Sequence, residues 1–155
     1  MSLIGKVTEH FSWSELCLTE HRDYVELNAK LLEADDEARR ALYELCRTLL
    51  EPVRKRFGPV IVHSAYRCAA LNTEIGGSVT SQHINGEAAD FHCLTASLTE
   101  VFDWIRRHPG LPFGQVILEG RIPSWIHLSL GEPWRPRSAC RQILRWDGAK
   151  YSIVS

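Results

Sequence analysis

The sequence predicts an α+β fold in which helices pack on a central antiparallel sheet. Helical periodicity is concentrated before Gly58-Pro59, and β-branched or alternating runs dominate after it. No repeat, low-complexity tract or linker divides the chain. Helices first and strands later favour α+β over the regular alternation of α/β units. A single domain covering residues 1–155 is expected, long enough to bury a core without disulfide or metal staples.

Each element has its own signal. Ser12 is a candidate N-cap with Glu15 three residues on, a capping-box pattern that opens a short helix ending near Thr19. A second helix is expected over Tyr24–Leu32. The strongest helix runs from Asp35 to Phe57, where Ala38, Leu42, Leu45, Leu49 and Val53 mark one buried face. Asp35, Asp36 and Glu37 suit its positive end, and Arg54, Lys55 and Arg56 suit its negative end. Pro52 should kink that run or end it near Leu50, and Gly58-Pro59 stops it. Val60–Ser64 reads as a strand, Cys68–Ile75 as a short helix closed by Gly76-Gly77, and Glu87–Cys93 as a strand. A helix follows from Ser97 to Arg107. Strands are then expected over Gln115–Leu118, Trp125–Leu130, Arg141–Trp146 and Lys150–Val154.

Composition narrows the function classes. Lys and Arg total 18 against 19 acidic residues, so the basic excess of a nucleic-acid binder is missing and no such partner is expected. The arginine-dense stretches at Arg54–Arg56 and Arg135–Arg145 read as solvated faces. No run approaches the roughly 18 apolar residues of a spanning helix, so no membrane insertion is expected. The N-terminus lacks the apolar core of a signal peptide, which predicts a protein that is cytoplasmic as synthesised. Five scattered cysteines, with no CxxC, suggest reduced thiols.

The informative segment is Ser81-Gln82-His83-Ile84-Asn85-Gly86-Glu87-Ala88-Ala89-Asp90. His83 offers nitrogen and Asp90 oxygen, a donor pair that Zn²⁺ accepts, and Gly86 would let the chain turn sharply between them. Period-two alternation puts Trp125, His127 and Ser129 on one strand face, where His127 could be a third donor. Three protein ligands would leave a position for water, as in catalytic zinc sites. From spacing alone, ordinary core or surface histidines are the commoner reading, and a metal site the rarer one.

The pattern Ser81-x-His83-x-x-Gly86-x-Ala88-x-Asp90, followed by Trp125-x-His127, resembles the zinc D-Ala-D-Ala carboxypeptidase family. That family includes the VanX-type dipeptidases and bacteriophage L-alanyl-D-glutamate endolysins, and it shares its fold with the Hedgehog signalling domain. Other landmarks fit in order: Phe11-Ser12-Trp13-Ser14-Glu15-Leu16, the long helix, Ser64-Ala65-Tyr66-Arg67, Leu71-Asn72 and Ile75-Gly76-Gly77-Ser78. The resemblance covers nearly the whole chain and is closest to the small phage and prophage branch. It implies one Zn²⁺ per chain on His83, Asp90 and His127, a cell-wall peptide substrate, a monomer, and access to the wall through a phage or holin route.

Roles beyond the metal follow from the same resemblance. Arg67 matches the arginine that helps hold the scissile carbonyl and its developing oxyanion. Ser81 is similar to the family serine that contacts substrate, with a turn-forming role as the alternative. Tyr66, Trp125 and Gln82 are assigned to the substrate pocket, Gln82 as a residue supporting the ligands from behind. Family members commonly carry an acid three residues before the last histidine; here that position is Ser124, which is no base at neutral pH. The nearest acid, Glu119, is therefore the candidate general base, against the alternative of an exposed acid flanking a turn. If Glu119 is not the base, the chain is a zinc-binding interaction or structural module without catalysis. His92 could orient Asp90 or be a hydrogen-bonded core histidine, and His63 is read as a core histidine.

Overall fold

The structure is a computed structural model and describes residues 3–155. Helix α1 (Trp13–Leu16) opens with the expected capping box: the Ser12 hydroxyl accepts from the Glu15 N–H, and the Glu15 carboxylate accepts from the Ser12 N–H at 2.9 Å. It ends at Leu16, short of Thr19, because the next carbonyl is claimed from outside. Asn28, buried in helix α2 (Val25–Glu33), donates to the Cys17 carbonyl at 2.8 Å.

The long helix is continuous from Asp36 to Phe57 but not uniform. Helix α3 (Asp36–Leu45) leads into a wider π turn (Cys46–Leu50) and then α4 (Glu51–Phe57). The run therefore does not end at Leu50. The Glu51 N–H reaches back to the Cys46 carbonyl, and Pro52, which has no N–H to place, falls in the first turn of α4 where proline is tolerated. Ala38, Leu42, Leu45, Leu49 and Val53 are all buried, as the periodicity predicts. Each fully buried leucine contributes about 1.5–3 kcal/mol, so this stripe holds the helix in place while all five cysteines stay free.

Six strands form one sheet: β1 (Val60–Ser64), β2 (Ala88–Cys93), β3 (Phe113–Glu119), β4 (Trp125–Leu130), β5 (Gln142–Trp146) and β6 (Tyr151–Ile153), in the order β1-β2-β4-β3-β5-β6. Helix α5 (Ala69–Glu74) lies between β1 and β2, and α6 (Leu98–Arg107) between β2 and β3. The α+β class is as predicted, and one pairing refines the antiparallel expectation. β3 and β5 are parallel, because the chain between them first forms β4 and then returns along residues 131–141 before re-entering the sheet.

The sheet has two distinct faces. Phe91, Val116, Ile126 and Leu128 point into the core shared with the helices. Alternation turns Asp90, Glu119, Trp125 and His127 to the other face. The cross-strand partners Asp90↔His127 and Glu119↔Trp125 bring those residues side by side.

Candidate metal centre

The loop before β2 is built to deliver a histidine. The Ser81 hydroxyl accepts from the His83 N–H at 3.3 Å and starts a tight 3₁₀ turn over Gln82–Asn85. Gly86 closes the turn in the left-handed region (φ 71°), and a Cβ there would lie 2.5 Å from the Ala38 carbonyl oxygen. Only glycine meets both conditions, so the loop can rest directly on α3. His83 is thereby buried at 3% exposure beside the start of β2.

His83, Asp90 and His127 each offer one donor atom, and all three atoms lie within 4.8 Å of one another. Asp90 sits between the histidines. His83 Nε2 is 3.3 Å from one carboxylate oxygen and His127 Nδ1 is 2.9 Å from the other. The remaining ring nitrogens face acceptors: His83 Nδ1 is 2.7 Å from the Ala65 carbonyl, and His127 Nε2 is 2.7 Å from Gln82 Oε1.

This arrangement fits a cation. A neutral imidazole carries one N–H, and each ring's N–H is drawn to the acceptor behind it. The lone pairs of His83 Nε2 and His127 Nδ1 then both face a carboxylate, which is repulsive unless a positive charge sits among them. Burial opposes ionisation of Asp90, and positive charge beside it, whether from protonated His83 and His127 or from a cation, holds the carboxyl well below the usual range. Two imidazoles and one carboxylate form a donor set that suits Zn²⁺, with backbone and amide partners orienting the rings.

Residues 9–129 match the family model described as peptidase M15. The chain belongs to the M15 peptidase family. No curated protein matches it. The family is zinc-dependent and its members are peptidases acting on peptidoglycan-type peptides, which agrees with a His-Asp-His site in this chain. The matched span contains all three donors together with Arg67 and Glu119, whereas β5 and β6 lie beyond it.

Beside the donors, the chain opens a cleft of about 360 Å³ whose lining includes His63, Tyr66, Arg67, Asp90 and Trp125. Arg67 is held over its rim: its guanidinium donates to Ser64 Oγ and Asn72 Oδ1, both at 3.3 Å, and lies 3.6 Å from Asp90. Its main-chain N–H donates to the His83 carbonyl at 3.1 Å. Tyr66 is buried, and that burial pushes its phenol up to about 12, so it stays protonated. The buried Trp125 indole N–H makes no well-formed hydrogen bond among the described residues, and its interaction is with the Glu119 carboxylate.

Glu119 ends β3 on the same sheet face. Burial raises its pKa, and so does the charge of Asp90, while His127, Trp125 and Arg67 act the other way. Its carboxyl is thus half-buried within electrostatic reach of Asp90, His127 and Arg67. Ser124 instead donates to the Ile122 carbonyl at 2.8 Å within the β3–β4 turn. Ser81 caps the 3₁₀ turn, and Gln82 points its side chain at His127.

Two histidines sit differently from their expected places. His92 is not against Asp90: its Nδ1 lies 2.7 Å from His63 Nε2, and the two rings stack with centroids 4.8 Å apart. His63 is exposed in the cleft wall rather than buried in the core. The pairing comes from β1–β2 register and a bulge between Val62 and Ser64, neither of which leaves a mark in local sequence. Asn72, which steadies Arg67 and donates to the Ser78 carbonyl at 2.8 Å, also lacked any signal beyond its place in Leu71-Asn72.

Proposed function

We propose that this chain is a zinc peptidase that hydrolyses a peptide bond in cell-wall peptides, of the D,D-carboxypeptidase or L-alanyl-D-glutamate endopeptidase type. The convergence of His83, Asp90 and His127, with Asp90 lining an open cleft, is the observation that carries the reading. Those three residues would hold one Zn²⁺. When bound, zinc supplies Lewis-acid chemistry, acidifying water and polarising a carbonyl.

The chain's own groups do the rest. Glu119 accepts the proton of the attacking water and passes it to the leaving amine. The charge that grows on the scissile carbonyl oxygen is met by the Arg67 guanidinium, which Ser64 and Asn72 hold in a fixed orientation. Tyr66 and Trp125 give the substrate a partly apolar wall. Ser81, whose hydroxyl caps the 3₁₀ turn that carries His83, would also contact the substrate. In this reading the whole chain acts as one catalytic unit and as a monomer, in the manner of a phage-type lysis enzyme.

The second reading is a zinc-binding interaction module without turnover, and the serine at position 124 favours it. One experiment separates the two: zinc content and hydrolysis of synthetic cell-wall peptides for the wild type, His83→Ala and Glu119→Gln. An enzyme of the proposed kind binds one zinc, loses it in H83A, and in E119Q keeps the zinc while kcat falls about 10²–10⁴-fold. Zinc binding with no hydrolysis of either peptide class by the wild type establishes the module instead.

A further inference from the structure

Gln82 precedes one ligand histidine in sequence and touches the other in space. Its side-chain oxygen is 2.7 Å from His127 Nε2, across 45 residues of chain. Its main chain is fixed as well, since the Gln82 carbonyl accepts from the Glu87 N–H at 3.0 Å. The side chain therefore projects from a turn whose geometry Ser81 and Gly86 already set.

The chemical consequence concerns the proton on His127. An amide oxygen only accepts, so opposite it Nε2 must carry the ring's single hydrogen. The lone pair is then on Nδ1, the nitrogen that faces Asp90. His83 is handled in the mirror sense, with Nδ1 against the Ala65 carbonyl and Nε2 toward Asp90. One ring is oriented by main chain and the other by a side chain, and only the second can be removed by substitution. The opposite amide orientation, with its NH₂ toward the ring, would leave the proton on Nδ1 and aim it at the donors.

We infer that Gln82 is a positioning residue for the metal: its amide oxygen fixes His127 as the Nε2–H tautomer and aims Nδ1 into the site. The loop over residues 81–87 thus supplies the ligand His83 and also locks the ligand His127. The inference rests on the metal-binding reading above and adds the claim that acceptor chemistry at position 82, not its bulk, sets affinity. Groups that orient metal-bound histidines are typically worth 10–100-fold in affinity.

The test is the zinc dissociation constant, by chelator competition, for the wild type, Gln82→Leu and Gln82→Glu. Leucine keeps most of the volume and removes the acceptor; glutamate keeps an acceptor. Q82L is expected to bind zinc about 10–100-fold more weakly and Q82E at least as tightly as wild type. Q82L equal to wild type, or Q82L and Q82E weakened alike, overturns the inference while leaving the zinc site intact. A wild type that takes up no zinc removes the metal reading itself. Should Q82L fold poorly, the zinc-loaded wild type decides alone by long-range ¹H–¹⁵N spectra of its imidazoles. A proton on Nε2 of His127 supports the assignment, and one on Nδ1 overturns it.

Discussion

Replacing Gly86 by alanine should cost far more than the same change at Gly76, although the two residues share a backbone conformation. Gly86 has φ 71° and Gly76 has φ 72°, so each substitution pays the left-handed penalty of about 1–2 kcal/mol. Their surroundings differ. Nothing lies within 4 Å of a Cβ at position 76, whereas one at position 86 meets the Ala38 carbonyl at 2.5 Å and Leu42 at 3.1 Å. Both contacts belong to α3, whose buried face cannot retreat, so overpacking adds about 1–3 kcal/mol. G76A should therefore lose about 1–2 kcal/mol and G86A about 2–5 kcal/mol. Urea unfolding of both variants with metal chelated measures this without a contribution from zinc. Equal losses would refute the claim that the loop's seat on α3, and not its turn conformation alone, demands glycine. Because Gly86 lies between His83 and Asp90, G86A should also weaken zinc binding where G76A does not.

Two further outcomes follow from contacts and linkage. Glu51 fastens the N-terminal loop to α4, accepting from Thr8 Oγ1 at 2.6 Å and His10 N–H at 2.9 Å and meeting His10 Nδ1 at 2.7 Å. Burial works against its ionisation, but the Thr8 and His10 contacts outweigh that and lower its pKa. A carboxyl depressed in the folded state stabilises above its unfolded value, near 4.3, and that stabilisation is lost as pH falls through the folded value. Glu51→Gln should thus cost about 1–2 kcal/mol at neutral pH and progressively less in acid, compared by urea midpoints; an equal loss at both ends would show that charge plays no part. Removing zinc should lower thermal stability: at 100-fold excess over its dissociation constant a ligand adds about 2.7 kcal/mol, or roughly 5–11 °C for a chain of this size. Differential scanning calorimetry with and without chelator checks it, and an unchanged wild type, or an H83A variant that responds equally, would contradict the assigned ligands.

Local physics made most elements readable. The 3.6-residue stripe from Ala38 to Val53 results from burial on one side, which any helix facing a core must record. Trp125–Leu130 is instead buried on both faces, and its alternation separates apolar core residues from polar residues of the site face. Pro52 shows where local rules stop. Proline forbids a regular hydrogen bond, but whether the chain breaks or widens into a π turn depends on how much buried surface the helix keeps by continuing, which is a tertiary quantity. The parallel β3–β5 pair was hidden for a related reason. Strand order is decided by which neighbours cover one another, and the β5 sequence reads the same in either direction.

The site divides along the same line. His83, Gly86 and Asp90 share one turn and strand, so their spacing is itself the geometry, and a ten-residue pattern carries it. His127 and Glu119 reach the centre only because β4 inserts between β2 and β3, putting their side chains on the same face as Asp90. That order also puts Glu119, at the end of β3, on the sheet face that carries the donors. Glu119 is paired with Trp125 across the β3–β4 hairpin, two residues from His127, whereas Ser124 has already turned away into the loop. Sequence distance from the last histidine is thus a poor guide to which acid shares its sheet face; cross-strand register is the better one. The same holds for Gln82, whose partner His127 is remote in sequence but adjacent once β2 and β4 have paired.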